Sequence, residues 1–346
     1  MIKLSVVLSI HNRSKLFARA LGGYLRQTMP TKEWEIVLVD DLSTEDLSKV
    51  YSSFLGRINL RYLRMDHTKH ALFRELNPRW KPGEPKRWFH TPALSTNLGS
   101  SLARGEVICL CHPEILHAPA NFERAYERLR SEKSYLFGRT FLGTPKHNAW
   151  LDHHDWTEAG AWNDFLRQLA SLERVTWFVS SELYWYTSFL PRRAVEEVRG
   201  VDFEYLRGVA GEDDDFRERV KRAGWRPLYA EEIMGFHQDH SDETELHRQR
   251  TTQSWIEGLA QNRKTYYSRL NGAGFPPVAN PSYDWTAREC LVTDECHFIS
   301  DSIRTGNLPN PITSKSSVQT GLEANSGLPG NPPISPFLMK GQRPEL

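Results

Sequence analysis

Four short runs of this chain gather the side chains able to do polar chemistry. Three of them close apolar stretches of strand length: His11-Asn12-Arg13 after Leu4–Ile10, Asp40-Asp41 after the residues from Glu35 onward, and Cys111-His112-Pro113-Glu114 after Val107. In an open parallel sheet, ligands bind beyond the carboxyl ends of the strands. The three runs should therefore meet on one sheet edge, where a nucleotide could lie. The fourth run, Glu212-Asp213-Asp214-Asp215, sets four acids at the start of a helix. One or two would complement a helix dipole; four repel one another, a cost that a functional role would justify. Each run also has a plain reading. Asp40-Asp41 can be turn or cap residues, Glu114 an acid at the positive end of a helix, and His112 a surface loop histidine. Cys109 and Cys111 share one strand face and read as core. Cys290, Cys296 and His297 make too incomplete a set for a zinc site.

The elements that must position these groups follow from hydrophobic spacing. Leu4–Ile10 and residues 35–40 are continuous apolar runs, as expected of strands buried on both faces. Between them a stripe of Leu16/Phe17, Ala20/Leu21 and Tyr24/Leu25 predicts a helix, with Ser14 as its N-cap. Ser43 with Asp46 predicts the start of another helix, whose apolar face is Leu47, Val50, Tyr51 and Phe54 and which Gly56 ends. Ile58, Leu60 and Tyr62 alternate as a third strand. A basic stretch with Pro and Trp at residues 77–92 precedes a helix through Leu94, Leu98 and Leu102 and a strand at Val107–Cys111. Residues 150–186 are rich in Trp, Asp and His, without a clean period. Residues 213–223 read as a helix closed by Gly224, and residues 244–270 as a polar helix on the outside of the domain. Strand–helix–strand units of this length imply a parallel sheet with right-handed crossovers.

Composition bounds the rest. The chain has 346 residues, with 44 basic and 43 acidic side chains and a formal net charge of +1. That balance lacks the basic excess of a general nucleic-acid binder, so no nucleic-acid partner is expected. No apolar run reaches the roughly 20 residues that span a bilayer, so no transmembrane segment is expected. Four cysteines do not make a disulfide framework, and a cytoplasmic protein with reduced thiols is expected. Beyond residue 305, Pro, Gly, Asn and Ser dominate; that tail, residues 306–346, has too little apolar surface to offset ordering and is expected to be flexible.

Taken in order, these runs resemble glycosyltransferase family 2. Ser5 to Arg13, followed by Val37-Leu38-Val39-Asp40-Asp41-Leu42-Ser43-Thr44, is similar to the family's opening strand ending in Tyr/His-Asn and second strand ending in Val-Asp-Asp-Gly-Ser. Asn97-Leu98-Gly99 and Ala103-Arg104-Gly105-Glu106-Val107-Ile108 look like its lead-in to the fourth strand. Leu190-Pro191-Arg192, Gly200-Val201-Asp202 and Gly211-Glu212-Asp213-Asp214-Asp215-Phe216, with Arg219 and Gly224, resemble its later blocks. The resemblance implies a GT-A fold: a Rossmann-like α/β/α sandwich with a mostly parallel central sheet. It also implies a catalytic domain over residues 1–240, with a nucleotide-sugar half at 1–115 and an acceptor half at 116–240, then a helical extension at 241–305.

The activity so implied is inverting, metal-dependent transfer of a hexosyl or N-acetylhexosaminyl unit from a nucleoside-diphosphate sugar, with UDP as the expected nucleotide. The acceptor would be a hydroxyl of a glycan, lipid or protein, as in polysaccharide biosynthesis. Asp213 matches the family's catalytic base, with Glu212 or Asp215 orienting the acceptor or the helix entrance. Asp41, with Asp40, matches the acid that contacts uracil or ribose. His11, Arg13 and Asn97 would border the nucleotide. The family's Asp-x-Asp metal motif is replaced here by Cys111-His112-Pro113-Glu114, leaving Glu114 as the metal-contacting acid. His237 or His240 stands where the family often places a histidine ligand, for Mn²⁺ or Mg²⁺. Trp185 or Tyr184 could line the acceptor site, and Trp80 or Trp88 a loop near the phosphates.

Two rivals stay open. A nucleotidyltransferase would carry a glycine-rich phosphate loop after the first strand, and His11-Asn12-Arg13-Ser14 has no glycine. A catalytically inactive sugar- or nucleotide-binding relative fits the eroded metal motif, but has no need of the Glu212-Asp213 pair.

Overall fold

The apolar runs at the N-terminus become the middle of a sheet because both their faces are covered. In a computed structural model, β1 (Leu4–Ile10) lies between β2 (Trp34–Asp41) and β4 (Val107–Cys111), and β3 (Leu60–Met65) lies outside β2, all parallel. The structure describes residues 1–84, 89, 91–130, 133–155, 158, 160–172, 176–179, 186–240 and 252–275. Every described residue belongs to one compact unit, within residues 1–308. Cys290, Cys296, His297, Trp88, Tyr184, Trp185 and the tail at 306–346 lie outside the described residues.

Alternation along each strand splits the core into two layers. Leu4, Val6, Leu8 and Ile10 of β1 and Trp34, Ile36 and Leu38 of β2 pack on one face, with Phe17, Leu21 and Tyr24 of α1 (Ser14–Tyr24) and Phe122 of α5 (Asn121–Leu129). Val7, Val37, Val39, Ile108 and Leu110 pack on the other, with Leu94 and Leu98 of α4 (Thr91–Leu102) and Phe216 of α9 (Glu212–Arg222). Each such buried side chain contributes on the order of 1.5–3 kcal/mol. Helix α4 lies unusually close: a methyl group added at Gly99 would sit 2.6 Å from Val7 Cγ1. The result is the expected α/β/α sandwich.

Beyond β4 the sheet continues through strands that hydrophobic spacing did not reveal. The order is β3-β2-β1-β4-β8-β6-β9-β5, where β5 is Ile115–His117, β6 Ser134–Leu142, β8 Ser188–Pro191 and β9 Arg226–His237; β7 (Thr176–Val179) pairs with β6. Strand β8 is antiparallel to both β4 and β6, and β9 is parallel to β6. So β1, β2, β3, β4, β6 and β9 share one direction, while β5, β7 and β8 oppose it. The sheet is mostly parallel in direction, but in its second half every neighbouring pair except β6 with β9 is antiparallel.

Other departures have local causes. Ser14 is the first residue of α1 and not its cap: Arg13, at φ 66°, holds the N-cap position, and the Ser14 N–H is taken by Glu45 Oε2 at 2.7 Å. The helix expected from Ser43 starts instead with α2 at Ser48–Tyr51, because Ser43 Oγ accepts from Asn12 N and Asp46 accepts from Ser48 N. The third strand begins at Leu60, after Gly56 turns at φ 76°. Five helices were not foreseen among the described residues: α3 (Ala71–Leu76), α5, α6 (Pro145–Asp152), α7 (Ala161–Leu172) and a short one after β8. The short α8 (Arg192–Glu197) follows β8.

The polar C-terminal helix α10 (Gln253–Ser268) does more than cover the surface. Asn262 Nδ2 donates to the carbonyls of Tyr205 and Ala210, both at 2.9 Å, and Val209 N donates to Gly258 O. Any side chain at Gly208 would collide with Gly258 O, 2.2 Å from where its Cβ would be. This helix therefore grips the 205–210 turn that leads into α9.

Candidate active site

The strand register carries the polar runs to one edge. Ile10 pairs with Asp40 and Leu8 with Cys111, so His11 and Asp41 emerge side by side, and His112 leaves β4 at the same edge about two residues lower. Strand β9 ends at the same edge, and its last residue His237 pairs with Ile115, next to Glu114. Backbone conformation there is strained. Asn12, Arg13 and Leu42 have φ values of 60°, 66° and 53°, a region that side chains other than Gly and Asn enter at a cost of about 1–2 kcal/mol. Such strain concentrates at functional sites. The Asn12 carboxamide helps to hold it, accepting from Thr44 N at 2.8 Å and Glu45 N at 3.2 Å.

At the centre of this edge lies Glu114, whose side chain is 2% exposed. It precedes β5, not a helix, so it serves no helix dipole. Three nitrogens surround its Oε1: Arg13 Nη1 at 2.8 Å, His237 Nε2 at 3.4 Å and His240 Nε2 at 3.5 Å. Its Oε2 is buried without a hydrogen-bond partner among the described residues. Burial alone would raise the Glu114 pKa, but Arg13 and His237 outweigh it and hold the carboxyl well below the usual range. Gln238, fully buried between the two histidines, fixes the geometry by donating to the Glu114 and Leu16 carbonyls while accepting from Arg19.

The ligand atoms of Glu114, His237 and His240 lie within 4.8 Å of one another. One carboxylate and two imidazoles, with an orphaned carboxylate oxygen, suit a divalent ion of borderline softness. The donor set fits the ion expected from the sequence.

A second group of that kind, Cys109, Cys111 and His117, is fully buried beneath it. Its surroundings argue against a metal. Asn121 is oriented by the Met234 backbone, accepting from N at 3.1 Å and donating to O at 2.6 Å, so its Nδ2 must also donate to His117 Nδ1. The proton of His117 then sits on Nε2, aimed at Cys111 Sγ 3.2 Å away, and that nitrogen has no lone pair for an ion. Against the effect of burial, hydrogen bonds from Cys109, His117 and Tyr24 bring the Cys111 thiol down to about 6. The cysteines are core residues.

His112 links the Glu114 cluster electrostatically to the start of α9. Burial pushes its pKa down to about 4, while Glu114, Arg13, His237 and Glu212 all act on it electrostatically. Glu114 and Glu212 thus both lie within electrostatic reach of His112. Tyr186 packs against two of these groups, its ring 5.9 Å from that of His112 and 5.0 Å from that of His237.

The four acids of α9 divide by role. Asp214 pairs with Arg217 at 2.9 Å. Asp215, fully buried, takes Arg219 at 2.6 Å, Arg269 at 2.5 Å and the Tyr205 hydroxyl at 3.3 Å, so it anchors the helix entrance. Glu212 is buried in the first turn, and the Asp213 carboxylate beside it accepts from Asp214 N at 2.9 Å. Burial, Glu212 and Asp214 together lift the Asp213 carboxyl well above the normal range. That suits a general base, whose pKa works best near the operating pH.

On the nucleotide side, Asp41 Oδ1 accepts from His67 Nδ1 at 2.8 Å, and its carbonyl accepts from His11 Nδ1 at 2.6 Å. His67, wedged against Phe73 and Phe89, escaped the sequence reading because nothing in its local run points to Asp41. Asp40 is engaged otherwise: it accepts from Ser43 N and the Tyr62 hydroxyl, bracing the β2 turn. Asn97 is likewise occupied, its carboxamide bonding both N and O of Val201 at 2.8 Å. It ties α4 to the turn before α9. Trp80 packs on Phe73 at 5.3 Å.

The model of Glycosyl transferase family 2 matches residues 5–77. Over 60 residues the chain is 38% identical to validoxylamine A glucosyltransferase of Streptomyces hygroscopicus subsp. jinggangensis, a stretch covering 17% of this chain and 14% of that protein. Over 66 residues it is 29% identical to the poly(ribitol-phosphate) beta-N-acetylglucosaminyltransferase TarS of Staphylococcus aureus, covering 19% and 12%. The matched segment is thus a small part of these relatives' own length. Among solved structures, mannosyltransferase PcManGT from Pyrobaculum calidifontis, in complex with GDP-Man and Mn²⁺, is 14% identical, with a TM-score of 0.48 over 82% of this chain and 69% of that one. S. aureus TarS 1-349 in complex with UDP-GlcNAc is 14% identical, with a TM-score of 0.44 over 78% and 75%. No helix among the described residues is long and apolar enough to cross a membrane.

Proposed function

We propose that this chain, a member of glycosyltransferase family 2 through residues 5–77, moves a sugar from a nucleoside-diphosphate donor, UDP-linked, to an acceptor hydroxyl with inversion. The observation that carries the reading is the buried Glu114 carboxylate, ringed by His237, His240 and Arg13, with His112 beside it under the electrostatic influence of both Glu114 and Glu212. Residues 1–115 would hold the nucleotide and residues 116–240 the acceptor, with α10 as a brace.

Glu114, His237 and His240 would hold the divalent ion, Mn²⁺ in preference to Mg²⁺ because two ligands are imidazoles. Its chemistry would be to neutralise charge developing on the departing diphosphate. Asp41, with Oδ1 fixed by His67, would accept the uracil N3–H on its second oxygen. His11 and Arg13 border the phosphates. Asp213 takes the proton of the acceptor hydroxyl as that oxygen attacks the anomeric carbon, and its raised pKa makes it a stronger base than an exposed carboxylate. Positioned bases of this kind contribute roughly 10²–10⁴-fold.

A hydrolysis screen of nucleotide sugars with Mn²⁺, comparing wild type with Glu114→Ala and Asp213→Asn, tests the reading. Glu114→Ala should weaken donor binding. Asp213→Asn should bind donor normally and fail to transfer. Equal donor turnover by all three proteins would defeat the assignment.

A further inference from the structure

Glu114 poses a physical problem that the ligand set alone does not solve. A carboxylate with almost no solvent access stays ionised only if a cation compensates it. Arg13 supplies that charge through the one short bond at Oε1, 2.8 Å. The two imidazole contacts to the same oxygen, 3.4 Å and 3.5 Å, are longer than good hydrogen bonds, and Oε2 has no partner among the described residues. One strong bond, two loose nitrogens and an orphaned oxygen make a coordination site whose charge is met by a guanidinium.

Where Arg13 is rooted matters equally. It sits at the N-cap of α1 at φ 66°, just past the end of β1, and its side chain is 20% exposed. From there the guanidinium can turn from Glu114 toward the strand edge beside His11, where a diphosphate would lie. A divalent ion on Glu114, His237 and His240 would stand beside Arg13 and repel it. An incoming diphosphate would give the displaced guanidinium a new partner.

We infer that Arg13 is the resident cation of the Glu114 pocket, and that its transfer from Glu114 to the donor diphosphate couples metal binding to nucleotide binding. The inference rests on reading Glu114, His237 and His240 as the metal site. The metal alone must compete with Arg13 for Glu114. With nucleotide present that competition is relieved, so each ligand tightens the other by the same factor. Couplings of this kind typically span about 5–150-fold.

The test titrates Mn²⁺ into the full chain by calorimetry, with and without saturating UDP, for wild type, Arg13→Met, Arg13→Lys and Glu114→Gln. Wild type should bind Mn²⁺ about ten-fold or more tightly with UDP than without. Arg13→Met should bind Mn²⁺ alone about ten-fold more tightly than wild type and lose most of the UDP effect, whereas Arg13→Lys should retain it. A thermal-shift series guards against misfolding: Arg13→Met should melt lower without metal and be raised by Mn²⁺ more than wild type is. Mn²⁺ affinity and UDP coupling in Arg13→Met equal to or weaker than wild type would overturn the inference while leaving the metal site standing. Mn²⁺ binding that survives Glu114→Gln, or that is absent from wild type with and without UDP, would remove the metal site and the coupling together.

Discussion

Replacing Arg269 by alanine should damage catalysis from a helix that carries none of the reacting groups. Arg269 Nη1 bridges Asp202 at 2.9 Å and the fully buried Asp215 at 2.5 Å, and its own side chain is 13% exposed. Removing one partner of a buried ion pair costs about 3–5 kcal/mol. Here Arg219 and Tyr205 still hold Asp215, which argues for the lower end, about 3 kcal/mol. At about 2–4 °C per kcal/mol in a domain of this size, Tm should fall by about 6–12 °C. Asp213 stands at the same helix entrance, and small misplacements of a reacting group can cost 10²-fold. So kcat should drop at least about ten-fold, while UDP affinity, governed by β1 and β2, holds. Urea unfolding combined with steady-state kinetics reads both effects. A double-mutant cycle with Asp215→Asn should return a coupling of about 1–3 kcal/mol. A variant within about 0.5 kcal/mol of wild type, with unchanged kcat, would refute the claim that the C-cap of α10 positions the base.

Leu42→Gly should stabilise the protein by about 1 kcal/mol, because glycine removes the cost of φ 53° and Leu42 belongs to neither core cluster; a lower Tm would contradict this. The Asp213 carboxyl is raised in the fold, so ionising it costs stability as pH climbs past the ordinary carboxylate range. Asp213→Asn should thus match wild type in melting temperature in acid and exceed it at neutral pH, and wild-type kcat should rise with pH through the raised carboxyl; flat profiles would exclude a titrating base. His67→Ala should weaken UDP binding about ten-fold by freeing Asp41, with Mn²⁺ binding unchanged; a shift in Mn²⁺ affinity instead would place His67 in the wrong half of the site.

Much of the frame could be read from residue pattern. β1 and β4 have the predicted bounds, β2 is longer by one residue at either end, and α4 and α9 stand where periodicity put them, because buried parallel strands and amphipathic helices signal themselves locally. The second half of the sheet did not. β5 is a three-residue strand, and β9 presents mixed polarity because its faces are unevenly covered. Neither leaves a period to detect. The capping errors have a related origin: Glu45 and Asn12 reach in from elsewhere to satisfy groups that Ser14 and Ser43 would have served locally.

The amino-acid order by itself determined which chemical groups the protein has to spend and which strand ends they follow: His11 and Arg13, Asp41, Glu114, Glu212 and Asp213. Only the tertiary structure decided how they are used. It took Asp40, Asn97 and Asp215 for bracing and gave Asp41 to His67. It also closed two histidines and an arginine around one buried carboxylate. The reason is range: local sequence sets backbone direction through side chains a few residues apart. A carboxylate's role is set by whichever donors the packed sheet brings within reach, here Arg13 at 2.8 Å and His237 at 3.4 Å from Glu114, residues far apart in the chain.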